Sequence, residues 1–362
     1  MKKLLLIALI LSCFPALCES LRAEDFLEME AQLNKTGVSA GLKEIFSSIL
    51  TGEMQFMPEK VVQALSDAVR GRIGVVSVFL TKASFFMLMT AFLLNLLPEG
   101  KSGKSAIMLI HMVVALSLYR EVSAFFASAG NAIEALSALV DSITPILVSV
   151  IAFTGDAHTS AYITPLGAFV SGALSTYFQK GALKILEVLA CLCLAGSVCN
   201  VPLKKMTDTV RAIFKWLIGG IMSVFLFLMS TGGAIAGAYD GAFVKGLKFA
   251  ADSLIPIVGS DIAGKMESIT GSAQLVKSAA GVTGMIALVG ACIFPAVDVF
   301  LAMWGLRALS CMLECVSDKE AMNLADGFAG VFSLLFSLIL ASLCMAVVYV
   351  GMAVGIGKRA FF

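Results

Sequence analysis

Phe328-Ala-Gly-Val-Phe-Ser-Leu-Leu-Phe-Ser-Leu-Ile-Leu-Ala-Ser-Leu-Cys-Met-Ala-Val-Val-Tyr-Val-Gly-Met-Ala-Val-Gly-Ile356 runs without one charged side chain. A bilayer core takes about 20 apolar residues per helix, so this stretch reads as a membrane span. The same texture covers most of the 362 residues: 59% are hydrophobic and 14% charged. Soluble domains hold roughly 45–50% apolar and roughly 25% charged residues, and no single soluble core could hide the surplus. Mean hydropathy is +0.95. The fold class is therefore all-α, a polytopic integral membrane protein with about 7–8 transmembrane helices.

The other expected spans are Ile73–Leu97, Ser105–Phe126, Ala132–Phe153, Tyr162–Phe178, Leu183–Val198, Ile213–Gly232 and Gly281–Trp304. Ala132–Phe153 is amphipathic, which makes it a candidate for incomplete crossing. Two basic breaks, Pro98–Lys104 and Val201–Arg211, are predicted to be cytoplasmic turns by the positive-inside bias. Lys358-Arg359 prefers the cytoplasmic side too, whereas eight crossings from an outside N-terminus would leave it outside. Either one span is re-entrant or an anchor is retained, and the parity stays open at this level.

Met1–Ser20 has the parts of a signal peptide: Lys2 and Lys3, the apolar Leu4–Leu11, Pro15, then Ala16 and Cys18 at −3 and −1. The competing reading is an uncleaved anchor. Residues 21–72 follow as an extracytoplasmic polar and amphipathic segment, and 73–362 as the multi-pass domain. In the polar segment Leu42, Ile45, Phe46 and Ile49 recur at helical spacing. Short helices lying on the membrane or against a partner fit this pattern.

An internal repeat is visible, with units around 132–200 and 243–304. Asp141-Ser-Ile-Thr-Pro145-Ile-Leu and Asp252-Ser-Leu-Ile-Pro256-Ile-Val share Asp, Ser, Pro and the following Ile. Upstream at the same offset, Glu134 and Ser137 face Lys245 and Lys248. That spacing draws one polar stripe along an apolar rod. Broken helices at equivalent points of two halves line the pathway in transporters, and proline breaks helices. Asp141, Pro145, Asp252 and Pro256 are therefore pathway candidates. Coincidence in an Ala/Ser/Leu-rich chain is the competing explanation.

Charges inside apolar runs cost about 2.5–3.5 kcal/mol each at mid-bilayer, so each needs an account. Lys82 sits in the first span, Glu187 lies three residues after Lys184, and Asp298 follows Pro295. Lys184 and Glu187 are placed to pair on one face. Asp298 must face another helix, a cavity or the interface. Glu187 and Asp298 join the candidates as pathway or interhelix polar residues, the structural alternative being a hydrogen bond between helices.

Catalysis finds no support. Gly100-Lys-Ser-Gly-Lys-Ser105 lacks P-loop spacing, and no HExxH or nucleophile elbow occurs. With His111 and His158 the only histidines and no CxxC, neither a metal site nor another cofactor is expected. A net charge of +1 gives no nucleic-acid signal. Glycine is abundant at 32 residues, and Gly281, Gly284 and Gly290 are read as helix-packing positions.

The stretch Ala250-Ala-Asp-Ser-Leu-Ile-Pro-Ile-Val-Gly259, continuing through Ile269–Gly281 to Phe294-Pro295, resembles the stage III sporulation protein AE family. The resemblance is strongest over Gly241–Gly355; Ser260-Asp261 stands where another small residue is expected. It implies a component of the channel or secretion-like complex joining mother cell and forespore, needed for forespore development, in the mother-cell membrane surrounding the forespore. The implied partners are other stage III sporulation membrane proteins, an associated cytoplasmic ATPase and the stage II sporulation protein Q complex. No catalytic residues carry over. Within that frame the chain is a permease-like or platform subunit. The alternatives are a stand-alone secondary transporter for a small molecule and a non-conducting scaffold.

Overall fold

In lipid an isolated segment can satisfy its backbone polar groups only as a helix, and the described residues obey that constraint. The computed structural model describes residues 74, 76–87, 89, 101–153, 157–199, 203–254, 259–316 and 319–355, with no strand among the described residues. The helices are α1 (Val76–Met87), α2 (Lys101–Phe153), α3 (Ala157–Gly172), a π-helical stretch (Ala173–Ala182), α4 (Leu183–Cys199), α5 (Lys204–Leu254), α6 (Gly259–Val316) and α7 (Lys319–Gly355). The expected signal peptide, the segment 21–72 and Pro256 lie outside the described residues, as does the side chain of Asp252.

Four helices among the described residues are long and apolar enough to cross a bilayer: Met112–Ala152, Lys205–Ser230, Ala280–Glu314 and Ala321–Gly355. The expected spans Ser105–Phe126 and Ala132–Phe153 are one uninterrupted helix, α2, of 53 residues. The small residues between them do not break it. Gly130 instead lets α4 approach, since a β-carbon there would stand 3.2 Å from Leu183 Cδ2. Likewise Tyr162–Phe178 and Leu183–Val198 are continuous, joined through the π-helical stretch.

The expected break at Pro145 is absent too, because Pro145 sits inside α2. Its missing N–H deprives the Asp141 carbonyl of a helical donor, a loss of about 3 kcal/mol in an ordinary helix interior. Two hydroxyls of the same turn bond back to the helix, Thr144 Oγ1 donating to Val140 O at 2.6 Å and Ser142 Oγ to Ala138 O at 2.9 Å. The Val201–Arg211 turn is shorter than its basic residues predicted, for α5 begins at Lys204 and carries Lys205 and Arg211 on its first turns.

Contacts fix the direction of each helix. Phe79 of α1 meets Phe125 of α2 and Phe332 of α7 at ring distances of 5.0 and 6.1 Å, and Phe125 meets Phe332 at 5.1 Å. Further along, Lys82 reaches back to Glu121, so α1 and α2 are antiparallel. At the other end of α2, Thr144 and the Tyr349 hydroxyl of α7 are 2.9 Å apart. A β-carbon on Gly284 of α6 would stand 2.8 Å from Ile143 Cδ1, and Gly281 lies against Val354. Gly305 faces Leu80 at the opposite level.

The α3–α4 run descends from Gly167, beside Tyr349, to Cys193, beside Gly327. α5 climbs from Arg211, beside Gly330, to Leu228, whose carbonyl accepts from Tyr162. Among the described residues, direction thus reverses at each step: α1, α2, α3–α4, α5, α6, α7. The core between them is apolar, with Leu136, Ile143, Phe178, Phe328, Phe332 and Tyr349 fully buried.

Candidate functional site

One face of α2 departs from this apolar rule. Tyr119, Ser123, Asn131, Glu134, Ser137 and Asp141 recur at helical spacing and line a furrow of about 870 Å³. From Tyr119 to Asp141 the stripe rises about 33 Å at 1.5 Å per residue, close to the roughly 30 Å thickness of a bilayer's hydrocarbon. The opposite wall comes from the π-helical stretch and the start of α4, through Ser175, Gln179, Lys180, Lys184 and Glu187.

The π-helical stretch is what brings the second wall into place. Its wider i→i+5 pattern appears in the bond from the Leu183 N–H to the Phe178 carbonyl. Such stretches are rare, usually a single turn, and frequently sit at functional positions. This one keeps Phe178 and Leu174 in the core while Gln179 and Lys180 line the furrow.

The walls are tied together by named bonds. Gln179 Nε2 donates to Glu134 Oε2 at 3.1 Å. Ser137 Oγ, itself buried, donates to Ser171 O at 3.1 Å. Lys184 Nζ reaches both carboxylate oxygens of Glu187 at 2.8 Å, the pairing that their three-residue spacing predicted. Glu134, Asp141, Lys180 and Lys184 remain exposed, Lys184 at 65% of its side chain.

Five ionisable groups of both signs thus lie along a furrow bounded by apolar helices. At about 2.5–3.5 kcal/mol per charge, turning them toward acyl chains would cost as much as a typical domain's whole margin of stability, about 5–15 kcal/mol. Water or protein must cover them. The arrangement can hydrate, orient and bind polar solutes. Among the described residues no group of three His, Cys, Asp or Glu stands close enough together to hold a metal ion.

Of the sequence candidates, the furrow unites Asp141 and Glu187, along with the Glu134 and Ser137 stripe. Pro145 lies one turn beyond Asp141, exposed on α2. Asp298 is elsewhere: on α6 it is buried in the helix bundle, 6% exposed. Asp252 lies in the last turn of α5. Sequence reasoning missed Asn131, Gln179 and Lys180. The Gln179-Lys180-Gly181 polar cluster resembles a break between spans, and the polar run Gln179, Lys180, Lys184, Glu187 at intervals of one, four and three is the signal that could have found them.

The stage III sporulation protein AE family model matches residues 40–357 of this chain. The chain is 19% identical over 281 residues to the stage III sporulation protein AE of Bacillus subtilis (strain 168), covering 76% of this chain and 70% of that protein. No solved structure matches. The match spans the furrow and every helix described, and the chain belongs to the stage III sporulation protein AE family.

Proposed function

We propose that this chain is the permease-like membrane subunit of the complex linking mother cell and forespore, and that the α2–α4 furrow is one wall of its hydrophilic passage. The observation that carries this reading is the furrow itself. A polar stripe as long as a bilayer is thick, carrying Glu134 and Asp141 and facing Lys180, Lys184 and Glu187, is what a conduit wall requires and what a passive scaffold does not need. Its partners are other stage III sporulation membrane proteins, the cytoplasmic ATPase and the stage II sporulation protein Q complex. Energy comes from that ATPase, and this subunit is not an enzyme.

The alternating helix directions give the reading a sidedness. The end bearing Lys101, Lys104, Lys204 and Lys205 is cytoplasmic by the positive-inside bias. Six crossings follow, and the C-terminal end of α7 then lies outside the cytoplasm, as does the segment preceding α1; the four lysines at the other end outweigh the opposite preference of Lys358-Arg359. The chain sits in the mother-cell membrane around the forespore, so that outer end faces the intermembrane space.

The test replaces the polar stripe with apolar side chains, in the double variant N131L/D141L. Heat-resistant spore yield should fall at least tenfold while the protein accumulates at its normal level. Normal spores at normal protein level would remove the furrow from the mechanism. A stand-alone transporter would instead move solute in liposomes containing this chain alone.

A further inference from the structure

The furrow is half open, and its exposed charges are arranged to be covered in one particular way. Glu134 and Lys180 have opposite sign, both are exposed, and they stand on opposite walls. They also share a depth in the membrane. Gln179, the chain neighbour of Lys180, donates to Glu134 at 3.1 Å, which places Lys180 within one residue of the Glu134 level.

Depth decides which surfaces can meet. Two copies inserted in the same orientation can be related by a two-fold axis only along the membrane normal. Such an axis carries each residue to the same depth in the other copy. An isologous interface makes every contact twice, i to j and j to i. Glu134 facing Lys180 across the axis therefore yields two ion pairs at one level, both away from lipid. Lys184 and Glu187 are already satisfied by each other and do not compete.

We propose that a second copy of this chain closes the furrow, with Glu134 of each copy paired to Lys180 of the other and the two furrows facing each other as one enclosed polar space. This rests on reading the furrow as a surface shielded from lipid. It adds the identity of the shield, and a pairing that fixes register.

Charge reversal tests it with full-length protein in nanodiscs, using two differently tagged copies and co-purification. Wild-type copies should associate with each other. E134K should lose association with itself at least tenfold, as should K180E, because each homomeric pairing then sets like charges together. Mixing E134K with K180E should restore association to within twofold of wild type, since both pairs become attractive again. A pair made only within one chain cannot give that rescue.

Self-association of either reversal variant at the wild-type level would overturn the proposal. So would failure of the mixture to recover when both variants are helical and inserted. If a reversal variant does not accumulate, E134Q and K180M take its place: each should weaken self-association about threefold, and wild-type affinity in both would overturn the pairing. The functional reading fails separately. A monomeric wild type with N131L/D141L still blocking sporulation removes the second copy and leaves the passage.

Discussion

The α6–α7 pair and the α2–α4 furrow are both built on apolar helices, yet they treat polar groups in different ways. In the pair, several polar side chains are turned inward, while the exposed charges Arg307, Glu314 and Asp326 lie toward the end where α6 passes into α7. Ser342 bonds back to Leu338 O at 2.8 Å, and Tyr349 meets Thr144 at 2.9 Å. Within the span windows, 56% of α6 and 44% of α7 are buried in the bundle. In the furrow, Glu134, Asp141, Lys180 and Lys184 stay exposed within a polar stripe of a bilayer's length and are tied by only a few bonds. Dispersion packing holds the first region, because lipid offers no hydrophobic drive between helices. The second region is held by the first. A stripe of charges can sit in a membrane when rigid packed helices stand behind it.

α5 supplies a third case. Only 11% of its span window is buried, and Trp216 and Phe227 are exposed at 84% and 67%. Phe214 and Phe225 are its buried anchors, and an open apolar groove separates its outer face from Phe169 and Tyr177. From Trp216 to Ser230 exposure on α5 carries no charge, as lipid demands; exposure in the furrow includes ionic groups. Exposure alone therefore does not separate a lipid face from a functional one, but its chemistry does.

Substitutions should reproduce this division, and the packed pair should give the largest effects. Phe332→Ala removes the ring that meets both Phe79 and Phe125, and should cost about 3–5 kcal/mol. Loss of the protein from membranes, or a much lower unfolding midpoint in detergent, would show it. Gly284→Leu should cost about 1–3 kcal/mol by forcing α6 away from Ile143, read as a smaller drop in the same midpoint. Wild-type stability in either variant would break the contrast.

In the furrow, Ser137→Ala should cost only about 1 kcal/mol, the worth of one hydrogen bond, here the bond to Ser171 O. The protein should still accumulate. Trp216→Leu on α5 should move stability by no more than about 0.5 kcal/mol, and spore yield should be unchanged. A strong sporulation defect from Trp216→Leu at normal protein level would turn the lipid face of α5 into a partner face and sharpen the division differently.

Much of this is legible in the chain. Hydropathy alone yields the helical membrane class, and the Glu134, Ser137, Asp141 spacing marks out one wall of the furrow. The Lys184–Glu187 pair follows from a three-residue separation. The failures are of one kind. Pro145 reads as a break because proline ends helices in water, and the gaps left at 127–131 and 179–182 separate expected spans that are in fact continuous. Here the chain stays helical through the proline and both gaps, and Gly130 serves the close approach of Leu183. Sequence also offers no means of foreseeing the π-helical stretch, since its wider turn depends on fitting Phe178 into the core while α4 meets α2. Direction, too, is beyond its reach: chain parity comes from contacts such as Arg211 with Gly330 and Leu228 with Tyr162, far apart in sequence.

Thiol accessibility in intact membranes puts the central claim, a hydrated stripe through an apolar bundle, to its most direct trial. The nine native cysteines are first replaced, and single cysteines are placed at Ser123, Asp141, Phe227 and Phe332. A water-soluble maleimide should label the first two at least tenfold faster than the last two. Equal, slow labelling at all four positions would mean that no water reaches the furrow, and the account would be wrong.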